Sequence, residues 1–179
     1  MHSYDEAESV LIGLGSNMGD REFALQRAVC AVHALDSVRT VAVSRVYETA
    51  PIGYLDQPDF LNAAIDVRTT LPPLQLLRAL LHIETAMGRV RTVRNGPRPI
   101  DLDILLWGTR VVSDPILQIP HPRMHERAFV LAPLADIAAT ALHPVQGRTV
   151  LQLWTDLEDR EGVRPCTITL HVDCGPIES

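Results

Sequence analysis

A chain of 179 residues with formal charge −6, 46% hydrophobic and 21% charged residues has the make-up of one ordinary globular domain spanning residues 1–179. Such a chain buries roughly 70% of its unfolded surface, so it needs no disulfide or structural metal. Its acidity leaves no broad basic footprint for nucleic acid, and no apolar run approaches the ~18 residues of a membrane span. The opening MHSYDEAES is polar and acidic, unlike a signal peptide. Cys30, Cys166 and Cys174 are odd in number and lack CxxC spacing, which predicts free thiols in a cytoplasmic protein.

The predicted elements begin with a buried strand, Val10 to Ser16, closed by Asn17 and Gly19. A helix follows from Asp20 to Leu35, with Leu25, Ala28, Val32 and Leu35 on one face. Val38 to Thr49 alternates and is β-branched, as one second strand. Ala50 to Asp59 reads as a loop, and Phe60 to Thr69 as a third strand. Pro72 and Pro73 open a second helix carrying Leu76, Leu80, Ile83 and Met87, which stops at Gly88. An arginine-rich loop leads into a fourth strand, Ile100 to Trp107. Pro115 to His125 reads as irregular, Glu126 to Ala138 and Val150 to Glu158 as helices, and Cys166 to Val172 as a strand before a loose end. The β-α-β-β-α-β order is the ferredoxin-like split βαβ arrangement of an α+β fold. It has an antiparallel sheet and added C-terminal helices, in three α/β/α layers. The loop between strands two and three is too short for a helical crossover, so these strands are antiparallel.

Gly13-Leu14-Gly15-Ser16-Asn17-Met18-Gly19 follows a strand and opens a helix, but it is not G-x-G-x-x-G, because Met18 takes the third position. Here the glycines predict a tight turn beside a ligand. The stretch GRVRTVRNGPRPIDLDI, Gly88 to Ile104, carries more chemistry. Arg89, Arg91, Arg94 and Arg98 form a basic island in an acidic chain. On the strand that follows, Asp101 and Asp103 share a face while Leu102 and Ile104 take the other. Paired carboxylates repel unless a cation joins them, and hard oxygen ligands suit Mg²⁺, which shares its shell with substrate phosphates. Arginine forks match phosphate oxygens. The combination points to a metal-bound nucleotide polyphosphate; a solvated acidic face beside a soluble loop is the plain alternative.

Four segments together carry a resemblance: IGLGSNMGD at Ile12–Asp20, YETAPIGYLDQPDFLNAA at Tyr47–Ala64, GRVRTVRNGPRPIDLDIL at Gly88–Leu105 and IPHPRMHERAFVLAPL at Ile119–Leu134. In that order they resemble the 6-hydroxymethyl-7,8-dihydropterin pyrophosphokinases of folate synthesis, over about residues 9–158. The resemblance implies ATP as donor, two Mg²⁺ ions and a dihydropterin hydroxymethyl acceptor, with AMP as product. It implies that Asp101 and Asp103 hold the metals and that Arg89, Arg91 and Arg98 grip the triphosphate. Glu84, Ile104, His121 and Arg127 match further ATP-site positions. Phe60 and Phe129 match positions that stack a pterin, and Thr49, Ala50, Ile52 and Asn62 match positions that border it. Asn95 stands where a tryptophan is common and Ala50 where a proline is, so closure of the arginine loop is expected to be weaker. The segment 161–179 has no counterpart. The expected protein is a monomer that binds neither membrane nor nucleic acid. The other readings are a metal-dependent nucleotide-sugar transferase and a non-catalytic ferredoxin-like ligand sensor.

Overall fold

The computed structural model describes residues 7–90 and 95–175. Its elements in chain order are β1 (Glu8–Ser16), α1 (Arg21–His33), β2 (Val38–Val43), β3 (Tyr47–Thr49), β4 (Phe60–Thr69), α2 (Pro73–Ala86), β5 (Asp101–Trp107), β6 (Val112–Asp114), β7 (Leu117–Ile119), α3 (Ala128–Ile137), β8 (Leu142–His143), β9 (Arg148–Thr149), α4 (Val150–Asp156) and β10 (Val163–Pro165). The main sheet runs β10-β3-β4-β1-β5, with β2 also on β4, and every pairing in it is antiparallel. This is the expected ferredoxin-like order.

Strand alternation creates the layers. Val10, Ile12 and Leu14 of β1 enter a core with Leu25, Val29 and Val32 of α1 and Leu76, Leu80 and Ile83 of α2. On the opposite face, Leu11, Ala64 and Leu105 pack with Leu131 and Leu134 of α3 and Val150 and Leu153 of α4. Asp20 caps α1 by accepting the Phe23 N–H at 3.0 Å. Thr149 and Gln152 form a reciprocal capping box on α4.

Four expectations are corrected. The single strand expected over Val38–Thr49 is broken at residues 44–46. There the Ser44 hydroxyl accepts the Ala64 N–H at 2.8 Å, and the Arg45 N–H turns outward to Asp136. Both halves still pair with β4. The stretch 115–125 is not wholly irregular, because β7 returns along β6 as a hairpin. The late strand lies at Val163–Pro165 and not at Cys166–Val172. The alternation that suggested it is real, but it serves burial: Leu170 is 7% exposed, and Cys166, Ile168 and Val172 pack against the same core.

Finally, Cys30 and Cys174 are joined in a disulfide across 144 positions, and Cys166 is the free cysteine. No local spacing could reveal this pair. It forms because the tail folds back onto α1, where Gln26 exchanges two hydrogen bonds with the His171 backbone (2.7 and 2.9 Å). Closing so long a loop restricts the unfolded chain, so Cys174→Ser is expected to lose about 2–4 kcal/mol. Urea denaturation under non-reducing conditions checks this. Reduced wild type should match the variant, and equal stability of variant and oxidised wild type would mean that burial alone holds the tail.

Candidate active site

The site is built where β1 and β5 lie side by side. Gly13 pairs with Asp103 and Gly15 with Asp101. Of the glycines expected to form a turn, Gly19 (φ +63°) does turn the chain after β1, but Gly13 and Gly15 lie within the strand, opposite the two acids. A Cβ on Gly15 would fall 2.9 Å from Asn62 Oδ1, closer than real side chains come. Glycine there leaves a floor of bare backbone. Across it, Asn62 Nδ2 donates to Thr49 Oγ1 at 2.7 Å, which orients the amide.

Two cavities open here, the first of them over this floor. The first is bordered by Gly15, Thr49, Ala50, Ile52, Phe60, Asn62 and Phe129. The second runs along α2 past Leu77, Leu81, Glu84, Thr85 and Arg89 to Ile104, Ile116, Gln118 and His121. Arg98, Asp101, Asp103 and Arg127 line both, so the two cavities meet at the acid pair. Every described residue of the expected site therefore borders one cavity or both. Arg91, expected to grip phosphate, lies outside the described residues, as does Arg94.

Charge is concentrated at the junction. The Arg89 guanidinium bridges Glu84 and Asp101, with its Nη1 2.7 Å from Asp101 Oδ1. Burial alone would lower the Arg89 pKa, but the charges of Asp101 and Glu84 raise it. Glu84 is 3% exposed, and burial raises its pKa; the Leu102 N–H, donating at 3.0 Å, and Arg89 oppose that rise. Asp103 is pushed up to about 7, first by burial and then by the neighbouring charges of Asp101 and Glu84. An acid so crowded is relieved by a proton or by a cation. Among the described residues no cluster of three His, Cys, Asp or Glu side chains could hold a metal. Two carboxylates without a protein cage suit Mg²⁺, whose remaining ligands come from phosphate and water.

Cations face this pair. Arg98 Nε lies 3.7 Å from Asp101 Oδ2 and is buried without a hydrogen-bond partner. Its guanidinium sits 5.4 Å from the Phe60 centroid, and that of Arg127 5.6 Å from the Phe129 centroid. His121 follows a cis Ile119–Pro120 bond. Its Nδ1 accepts the Arg123 N–H at 3.2 Å, leaving Nε2 to carry the proton of the neutral ring. Burial, then the charge of Arg127, lowers its pKa and favours that neutral form.

A family model described as 7,8-dihydro-6-hydroxymethylpterin-pyrophosphokinase matches residues 11–139. The chain belongs to this family. It catalyses the family's reaction, pyrophosphoryl transfer from ATP to the hydroxymethyl group of 6-hydroxymethyl-7,8-dihydropterin, with AMP released, in folate synthesis. It is similar to the 2-amino-4-hydroxy-6-hydroxymethyldihydropteridine pyrophosphokinase of Bacillus subtilis, 52% identical over 70% of this chain and 75% of the relative. The enzyme of the same name from Methylorubrum extorquens is 46% identical over 82% of this chain and 92% of the relative. The chain spans only 22% of the folic acid synthesis protein fol1 of Schizosaccharomyces pombe, at 39% identity. In fold it resembles the crystal structure of Plasmodium falciparum HPPK-DHPS, with a TM-score of 0.70 and 16% identity, over 84% of this chain and 44% of that one. Nothing in these similarities favours a sugar transferase or a ligand sensor.

Part of the second cavity's wall is not evident from the motifs. Leu77, Leu81 and Thr85 repeat at helical spacing beside the buried stripe of α2, so the signal was an apolar stripe wider than the core requires. Nor do the motifs mark Arg123, which borders the first cavity from beyond the His121-Pro122 turn. The expected weakness at Asn95 meets a different arrangement. Asn95 has φ +57°, a region that asparagine tolerates and tryptophan does not, and its carbonyl accepts a hydrogen bond from Gln57 at 2.9 Å.

Proposed function

We propose that residues 1–179 work as a single pyrophosphokinase domain in which the first cavity takes the dihydropterin and the second takes ATP. The observation that carries this is the meeting of an aromatic-walled cavity and a basic-edged one at Asp101 and Asp103. Phe60 and Phe129 offer stacking surfaces for a flat heteroaromatic ring, and Asn62 and Thr49 offer polar partners to its edge. Leu77, Leu81 and Ile116 give the nucleotide apolar contact. His121 Nε2–H, Arg89, Arg98 and Arg127 line the route of the phosphates.

Asp101 and Asp103 would hold two Mg²⁺ ions. When bound, Mg²⁺ neutralises phosphate charge and orients the oxygens. The chain's own part is positioning and electrostatics. Arg89, fixed by Glu84, holds the Asp101 carboxylate in place. Arg98 presents its Nε, which faces Asp101 but makes no hydrogen bond, to an anionic oxygen. The stacked pterin brings its hydroxymethyl oxygen to the β-phosphorus, in line with the bond to the departing AMP. Arg91 is included among the phosphate-gripping residues from the motif alone. ATP as donor favours action in the cytoplasm, and we take the protein to be a monomer. In that compartment the Cys30–Cys174 pair would be open to reduction.

The test is nucleotide release: AMP should appear only when dihydropterin is present, with no ADP. ADP as product, or AMP without pterin, would overturn the reading. Phe60→Ala and Phe129→Ala are each expected to weaken pterin binding about tenfold, from ~1.4 kcal/mol of lost stacking and burial, and to leave ATP binding within about twofold. Calorimetry with each ligand checks this; equal losses for both would mean that the rings serve the core.

A further inference from the structure

We infer that Asn17 and Gln57 form a clamp that positions both substrate-facing loops, and that Gln57 sets how firmly the acceptor is held. The inference rests on the assignment of the first cavity to the pterin.

Asn17 directly follows β1 and is 1% exposed. Burying a primary amide is unfavourable unless its donors and acceptor are met. Here each is met by a substrate-facing loop. Asn17 Oδ1 accepts the Arg98 N–H at 2.9 Å, and the Asn17 N–H donates to the Arg98 carbonyl at 3.2 Å. Its Nδ2 donates to the Pro58 carbonyl at 3.1 Å and to Gln57 Oε1 at 2.9 Å. Gln57 Nε2 then donates to the Asn95 carbonyl at 2.9 Å and the Tyr54 carbonyl at 2.6 Å.

The bonds link a rigid strand end to the backbone beside Phe60 and to the backbone of Arg98. Arg98 faces Asp101 and the Phe60 ring, so the clamp bears on both sides of the junction without touching the reacting atoms. Its outer arm, from Gln57 to Asn95, ties the 50–59 loop to the arginine loop. The polarity of this arm is determined. Gln57 must accept from Asn17 and donate to two carbonyls, so a carboxylate at 57 keeps the inner bond and sets negative oxygen against the Tyr54 and Asn95 carbonyls. Leucine removes both arms with similar bulk. Gln57 lies in a loop outside the core, so either variant is expected to fold.

The experiment compares wild type, Gln57→Leu and Gln57→Glu in melting temperature, ATP affinity, pterin affinity with a non-hydrolysable ATP analogue present, and turnover. Pterin affinity with the analogue bound is expected to fall about five- to tenfold in Gln57→Leu, the effect of one or two lost hydrogen bonds, and at least as far in Gln57→Glu. ATP affinity should be unchanged, while the melting temperature should fall modestly in Gln57→Leu, which leaves one buried Asn17 Nδ2 proton without its acceptor. A small shift in turnover beside a large rise in the pterin KM is the mark of positioning. Unchanged pterin affinity in both variants, or parallel losses of affinity for both ligands, overturns the clamp. If wild type itself forms no pterin-dependent AMP, the assignment of the cavities fails instead, and the two failures are told apart.

Discussion

Asp101→Ala and Asp103→Ala are each expected to cut the rate of AMP formation by at least about a thousandfold at saturating ATP, pterin and Mg²⁺. Both carboxylates stand on one face of β5 above glycine backbone, and both line the junction of the two cavities. Removing a preorganised charge partner from a transferring phosphate commonly costs 10²–10³ or more. The two variants differ in stability. Asp103 is crowded by burial and by two neighbouring acids, so its removal relieves repulsion in the metal-free protein. Asp101 is the partner of Arg89 and Arg98, and its loss leaves those cations less compensated. Metal-free Asp103→Ala should therefore melt no lower than wild type at pH 8, and Asp101→Ala should melt lower. Single-turnover kinetics with scanning calorimetry checks both. Near-normal turnover in either variant would remove that acid from the metal site.

Arg89→Met is expected to abolish activity and also to destabilise the protein by about 3–5 kcal/mol at pH 8, because it strands two partly or wholly buried carboxylates. Arg89 is largely buried itself, and it is the bridge between Glu84 and Asp101. The loss should shrink as pH falls. The Glu84 carboxyl is already raised by burial, and without Arg89 it rises further. A carboxyl whose folded pKa exceeds its unfolded one binds more protons when folded, so acid favours the folded state. Urea midpoints at pH 8 and pH 5 test this: the gap between variant and wild type should be narrower at pH 5. A gap independent of pH would mean that the loss is one of packing alone.

What was legible in the sequence is what depends on local period and chemistry. The apolar stripes of α1 and α2 and the prolines at the start of α2 required no partner to be read. Neither did the alternation that puts Asp101 and Asp103 on one face. The motifs extended that reading to Thr49, Phe60, His121, Arg127 and Phe129, which fall on four different elements or loops, and the structure brings all of them to one pair of cavities.

Contacts between distant segments needed the fold. That Gly13 and Gly15 lie opposite the two acids depends on the register of β1 against β5, which neither strand carries alone. The alternation at Cys166–Val172 resembles a strand because period two reports burial on one face, whether or not a neighbour supplies a ladder. The Cys30–Cys174 bond and the Asn17–Gln57–Asn95 chain join positions that only folding brings within reach. Local period and motif suffice for β1, α1, β4, α2 and β5, for the acid pair and for the family. Tertiary structure decided which loops are tied together, because hydrogen-bond partners far apart in the chain leave no periodic trace in it.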